Sequence, residues 1–283
     1  MTPRLLPASG RPARAKPCRA CQKSVPLPGF TMAFQPMFDL ETDAVFAYEA
    51  LVRPLGGGSA LDVLGQINDE TRYAFDQACR VKAIELAASL GMRSALSINF
   101  LPNAVYQPAA CLRRTLEAAQ RVGFPLDKLI FEVTEAEQSR DPAHLRSIFI
   151  EYRAHGMITA IDDFGAGHSG LNMLADFQPD IVKLDMALCR NLHTDRVRRA
   201  IARSIISLCA ELGIQVVCEG IETMAEAVAL RDLGVRYVQG FLFARPALES
   251  LPAVPLQTLQ AVRREHESRL LAADTALALQ AHR

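Results

Sequence analysis

The chain has 283 residues, is 50% hydrophobic and carries 31 basic and 31 acidic side chains, for a formal net charge of zero. That length can bury one large core or two smaller ones, and the balanced charge excludes a general basic field for nucleic acid polymers. No apolar run reaches the roughly 18 residues that span a bilayer, so no membrane segment is expected, and the seven cysteines, an odd number spread through the chain, fit reduced thiols in a cytoplasmic protein.

Residues 1–28 hold six prolines and few apolar side chains and read as a flexible leader. Arg4, Arg11, Arg14 and Lys16 are not followed by an apolar h-region, so no secretory signal is expected. Cys18 and Cys21 form a lone CxxC, half of a zinc site with no second pair or nearby His to complete it. A short strand then ends near Phe34-Gln35-Pro36, and a second runs from Val45 to Val52 into Arg53-Pro54 and a triple glycine. The link from Asp39 to Asp43 is too short for a crossover helix, which predicts an antiparallel hairpin.

From there one unit recurs: a helix closed by glycine, a short apolar strand, and a polar residue at the strand's far end. The closing glycines are Gly91, Gly123, Gly156, Gly213 and Gly234. The strands are near-continuous apolar runs, Leu96 to Phe100, Leu129 to Val133, Ile158 to Ile161, Ile181 to Leu184, Val216 to Cys218 and Tyr237 to Phe243, as expected where both faces are buried. With the hairpin this predicts an α/β fold, a TIM-like (β/α)8 barrel with one antiparallel strand. A doubly wound open sheet is the alternative, but no nucleotide-binding glycine fingerprint follows the first strand. The expected organisation is a leader over residues 1–28, a barrel over 29–250, and an Ala-, Leu- and Arg-rich helical tail over 251–283.

In such barrels chemistry sits at the C-terminal strand ends. Read in order, these ends offer Gln35, Glu49, Asn99, Glu132 with Glu135, Asp162 with Asp163, Lys183, Glu219 with Glu222, and Gln239. Each has a structural alternative taken alone: a turn cap for Asn99, an ion pair with Asp185 for Lys183, helix-terminal charges for Glu135 and Glu222. Together, so many like charges in one mouth are destabilising unless cations offset them. An all-oxygen set of Glu, Asn and Asp suits Mg²⁺ or Mn²⁺, and no His or Cys set suits zinc. An enolase-like lyase would need a His or a second Lys at a strand end, and none is found.

In order from about Phe30 to Pro246 the chain carries Tyr-Glu-Ala-Leu-Val-Arg at 48–53, Glu-Val-Thr-Glu at 132–135, Asp-Asp-Phe-Gly-Ala-Gly at 162–167, Lys183-Leu184-Asp185, Glu219-Gly220-Ile221-Glu222 and Gln239-Gly240-Phe241. With these motifs it resembles an EAL domain, the cyclic di-GMP phosphodiesterase family. The resemblance implies two Mg²⁺ or Mn²⁺ ions, with Glu49, Asn99, Glu132 and Asp162 on the first, Asp162 bridging, and Asp163 with Glu219 on the second. It also implies catalytic roles for Lys183, which orients water, for Glu219, which can accept its proton, and for the metal ligand Glu49. Gln35, Arg53 and Gln239 would bind the dinucleotide, and Glu135 and Glu222 would support loops. The expected product is linear pGpG, and the expected partners are cyclic di-GMP, a second copy of the chain and a sensor or signalling protein. The alternative is a catalytically silent domain that binds cyclic di-GMP or a protein. The turn Gly167-His168-Ser169-Gly170 departs from the family's usual Tyr then Ser-Ser, and no cyclase motif is present.

Overall fold

A computed structural model describes residues 25–135, 142–167 and 170–281. Cys18, Cys21 and nearly all of the expected leader lie outside the described residues, as do His168 and Ser169. The chain opens with a hairpin of β1 (Phe30–Asp39) and β2 (Ala44–Pro54). Its turn is closed by Asp43 at φ 55°, while the Asp39 carboxylate accepts from the Glu41 amide at 2.9 Å. After it come α1 (Ala60–Leu64), α2 (Arg72–Ser89), β3 (Ala95–Asn99), α3 (Pro108–Val122), β4 (Leu129–Thr134), α4 (Pro142–Ala154), β5 (Ile158–Phe164) and α5 (Gly170–Asp176). The second half adds β6 (Ile181–Leu184), α6 (Met186–Cys189), α7 (Arg196–Glu211), β7 (Gln215–Cys218), α8 (Met224–Asp232), β8 (Tyr237–Val238), β9 (Ala247–Leu248) and α9 (Leu256–Ala281).

Strands β2 to β8 pair in sequence order and in parallel, and β1 closes the ring by running antiparallel to both β2 and β8. This is the expected (β/α)8 barrel with one inverted strand, and β9 adds a short extra pairing to β1. The helix-closing glycines take positive φ, from 68° at Gly91 to 84° at Gly234, as a left-handed C-terminal turn requires. The base of the barrel is plugged by Met37, Ala47, Ile130, Ala160, Ile181, Val217 and Tyr237. The larger apolar layer lies between sheet and helices and buries Cys111, Cys189, Cys209 and Cys218 as ordinary core residues, with Cys79 half-buried.

Two features position the mouth. Beneath the β3 end, fully buried Arg80 pairs with Asp76 at 2.8 Å among Phe100, Phe131 and Tyr152. Asp76 also accepts from the Leu101 amide at 2.9 Å, which anchors the chain just beyond Asn99. At the last strand the structure corrects the expected run to Phe243: pairing stops at Val238. Gln239 and Gly240 turn aside to meet the segment after β7, with the Ile221 amide donating to the Gln239 carbonyl at 3.1 Å and Leu242 to Ile221 at 3.0 Å. The backbones approach so closely that a Cβ on Gly240 would lie 2.1 Å from the Ile221 oxygen. The tail α9 lies against the barrel through buried Leu259 and Val262, with Arg263 on Asp43 at 2.7 Å and His266 on Asp232 at 2.8 Å. No helix among the described residues is long and apolar enough to cross a membrane.

Candidate active site

The parallel register brings the strand ends into one ring. Asn99 lies opposite Glu132 and Thr134 opposite Asp162, while β1 sets Gln35 opposite Glu49. At the centre stands Lys183, 1% exposed, its Nζ 3.3 Å from Glu49, 3.0 Å from Glu132 and 2.9 Å from both Asp162 and Glu219. Burial works against an ammonium, but Asp162, Glu132, Glu219 and Glu49 outweigh it and hold the Lys183 pKa well above its ordinary value. The ring of carboxylates thus favours the charged form of Lys183. The converse holds for two of its partners. Burial pushes Glu132 up to about 8 and Glu219 well above its usual range, against the pull of Lys183.

Neighbouring side chains steer these carboxylates. Glu49 accepts from Asn99 Nδ2 at 3.0 Å and from Gln239 Nε2 at 2.8 Å, and Glu132 accepts from the Ser97 hydroxyl. Asp162 and Asp163 are adjacent, and strand alternation alone would send them to opposite faces. The β5–β6 register shifts between Ile161 and Phe164, and Asp163 takes φ 53°, which turns both carboxylates toward the mouth. Burial, then Asp162 and Asp185, raise the Asp163 carboxyl to about 6.

Two groups can converge on a cation: Glu49, Glu132 and Asp162, and Asp162, Asp163 and Glu219, each offering oxygens within 4.8 Å of one another. Asp162 is common to both. Its Oδ1 meets Lys183 at 2.9 Å without hydrogen-bond alignment, leaving an acceptor in the cleft. An all-carboxylate set of this kind fits Mg²⁺ or Mn²⁺.

The remaining expected residues take separate places. Gln35 and Gln239 line the mouth with Glu49, Asp163 and Glu219. Gln35 donates to the Ala244 carbonyl at 3.3 Å, and Gln239 Oε1 is buried without a partner among the described residues. Arg53, near the end of β2, turns back to donate to its neighbour's carbonyl, Val52, at 2.7 Å. Glu135 accepts from the amides of Gly165 at 2.8 Å, Gly167 at 3.3 Å and Gly170 at 2.7 Å. Glu222 stays on the rim, paired with Arg190 at 2.6 Å.

Two residues join the site that strand-end reading passes over. Asp185 lines the mouth and caps α6, accepting from the Ala187 amide at 2.8 Å. Glu226, buried at the start of α8, gathers three backbone amides. The signal for Glu226 was present in Thr223-x-x-Glu226, a capping-box pattern.

A closed barrel with one inverted strand, carrying an all-oxygen acidic centre at its C-terminal strand ends, defines a barrel protein with a candidate divalent-cation site. The chain belongs to the EAL domain family, whose match runs over residues 19–246. It is similar to the blue light- and temperature-regulated antirepressor BluF of Escherichia coli K12, 31% identical over 78% of this chain and 55% of that protein. It is also similar to the cyclic di-GMP phosphodiesterase PA2567 of Pseudomonas aeruginosa, 30% identical over 78% of this chain and 39% of that protein. The chain thus spans about half the length, or less, of these curated relatives. Among solved structures, a standalone versatile EAL protein from Vibrio cholerae O395 in its c-di-GMP-bound form is 52% identical, with a TM-score of 0.80 over 83% of this chain and 99% of that one. Klebsiella pneumoniae BlrP1 in a manganese/cy-diGMP complex is 36% identical, with a TM-score of 0.76 over 82% of this chain and 59% of that one.

Proposed function

We propose that this chain is a metal-dependent phosphodiesterase that opens cyclic di-GMP to linear pGpG and so lowers a second messenger in the cytoplasm. The observation that carries the reading is the convergence of Glu49, Asn99, Glu132, Asp162, Asp163 and Glu219 around Lys183. Glu49, Asn99, Glu132 and Asp162 would hold one Mg²⁺ or Mn²⁺ and Asp163 with Glu219 a second, sharing Asp162. Bound there, the ions would acidify a shared water and offset charge developing on the phosphoryl oxygens.

The chain's own residues supply the rest. Lys183, whose charged form the carboxylates favour, would orient the water and balance those carboxylates. Glu219, at the mouth and 2.9 Å from Lys183, would accept the water's proton as the P–O3′ bond breaks. Gln35 and Gln239 line the mouth and would contact the dinucleotide. Arg53 would leave the Val52 carbonyl to bind phosphate or a guanine edge, for which its planar fork is suited.

For regulation we propose a homodimer through the segment after β5. An apolar groove lined by Phe164, Leu171, Leu188, Ile201, Ile205 and Leu208 lies beside that segment, with Leu171 63% exposed. A sensor or signalling partner would act through the same surface. The division into a leader at 1–28, a barrel at 29–250 and a tail at 251–283 is likewise our proposal.

Purified protein with Mg²⁺ or Mn²⁺ should convert cyclic di-GMP to pGpG, resolved by chromatography, and a chelator should stop it. Undiminished turnover in excess chelator would remove the metals from the account. The similarity to a protein named an antirepressor favours a second reading, a silent receptor; tight binding of cyclic di-GMP with no product would establish it.

A further inference from the structure

Glu226 does more than cap a helix. Its side chain is buried, 1% exposed. One oxygen accepts from the Glu222 amide at 3.1 Å and the Thr223 amide at 3.0 Å. In return the Thr223 hydroxyl accepts from the Glu226 amide at 3.3 Å, completing a capping box. The other oxygen accepts from the Asn191 amide at 2.9 Å, a residue 35 positions earlier and outside any cap. Asn191 ends the segment that leaves β6 just after Lys183, and it sits at φ 56°. The three amides hold the carboxyl below its ordinary value against the opposing effect of burial, so it is ionised and its hydrogen bonds are the stronger charge-assisted kind.

The carboxylate thus ties the segment after β6 to the segment after β7. Between them lies Gly220, φ 65°, where an added Cβ would fall 2.3 Å from Met186 Cβ. Glu219 is the residue immediately before, and its own amide donates to Leu184 at 3.1 Å. Any slip of one segment against the other moves Glu219 relative to Lys183, 2.9 Å away. A rim contact, Arg190 to Glu222, repeats the tie in solvent, where it contributes little.

We infer that Glu226 is a positioning residue: by clamping the segments after β6 and β7 to each other, it sets where the Glu219 carboxylate stands against Lys183 and the candidate second cation. What that position serves rests on the phosphodiesterase reading; the clamp itself does not. The test compares the full-length protein with Glu226→Ala, Glu226→Gln and Thr223→Ala. Three quantities are read: Mn²⁺ binding by calorimetry without nucleotide, kcat and KM for cyclic di-GMP, and the thermal midpoint.

Glu226→Ala should weaken Mn²⁺ binding several-fold and lower kcat about tenfold or more with KM little changed, as expected for a misplaced ligand. Glu226→Gln keeps one accepting oxygen and should fall between Ala and the unsubstituted protein on both measures. Thr223→Ala removes the cap's other half and should lower the midpoint while leaving Mn²⁺ binding unchanged. A Glu226→Ala protein with a lower midpoint but unaltered Mn²⁺ binding and kcat would overturn the inference and leave a helix cap. If Glu226→Ala does not fold, the decision passes to Glu226→Gln, and unaltered Mn²⁺ binding there overturns it equally. If the unsubstituted protein binds Mn²⁺ and cyclic di-GMP without turnover, the phosphodiesterase reading fails, and Mn²⁺ binding alone still decides Glu226.

Discussion

The segment after β5 and the segment after β7 both run from the acidic mouth, and each hangs on one buried carboxylate: Glu135 just past β4 for the first, Glu226 at the start of α8 for the second. Glu135 gathers Gly165, Gly167 and Gly170; Glu226 gathers Asn191, Glu222 and Thr223. The surroundings differ. Beyond β5 the backbone is glycine-rich, Leu171 is exposed and an apolar groove opens alongside. Beyond β7, Ile221 is fully buried, and Gly220 and Gly240 are pressed against Met186 and Ile221 so closely that no side chain fits. The same device therefore serves two ends. A Cβ on Gly165 would meet Leu188 about as closely as one on Gly220 would meet Met186, so glycine packing does not separate the two; the groove and exposed Leu171 do. One carboxylate organises the wall that borders the groove; the other locks the wall packed against Met186 and Ile221. Pairing of two copies through that groove, as proposed above, would make the wall beside it the movable one.

The comparison assumes that both walls enclose charge that Lys183 balances. Replacing Lys183 with Met tests this and should have the largest effect. Glu49, Glu132, Asp162 and Glu219 would lose their common cation in a site where Lys183 itself is 1% exposed. Removing one partner of a buried ion pair costs about 3–5 kcal/mol. Urea unfolding in chelator and mildly alkaline buffer should show a loss of that order, and Mn²⁺ should restore much of it. An unchanged midpoint in chelator would mean the carboxylates are already neutral, and neither wall would need a charged centre.

The next effect sharpens the contrast itself. Glu135→Ala releases three glycine amides of the movable wall at once. Asp163 is attached directly to that wall, at a φ of 53° that only a well-supported backbone maintains. Turnover should fall by roughly a hundredfold, the misplacement cost of about an ångström, and self-association measured by sedimentation should weaken in parallel. Glu226→Ala should lower turnover less and leave self-association unaltered. If the two variants changed association equally, the distinction between a movable and a locked wall would be lost.

Most of this architecture was legible in the chain. Glycines at helix ends, apolar runs with polar tips and the short Asp39–Asp43 link carry the barrel and its inverted strand, because local propensity and burial agree there. The mouth was legible because Glu49, Asn99, Glu132, Asp162, Lys183 and Glu219 stand at strand ends, which the fold itself brings together. Three things were not. The end of β8 at Val238 depends on Gln239 and Gly240 packing against Ile221, a contact between distant segments that an apolar run to Phe243 conceals. The turning of Asp163 into the cleft depends on a register shift that adjacency alone does not predict. Glu226 carries an ordinary capping pattern, and only its third bond, to Asn191, distinguishes it from a helix end.

The smallest effect concerns acid. The Glu226 carboxyl is held below its ordinary value of 4.5 by its three amides, although burial opposes them. A carboxyl whose folded pKa lies below its unfolded one stabilises the fold fully at every pH above the unfolded value. That contribution drains away as pH falls through the lower, folded value. Glu226→Gln has no such proton to bind. Its stability deficit against the unsubstituted protein, on the order of 1 kcal/mol for hydrogen bonds of this kind, should therefore be constant from neutral pH down to the ordinary carboxylate range and shrink below it. Urea midpoints of the two proteins measured side by side across that range give the difference directly, since other titrating groups are common to both. A deficit that instead widened in acid would place the Glu226 pKa above its ordinary value, and in acid the locked wall would then be held by a protonated side chain that accepts fewer of the three amide hydrogen bonds.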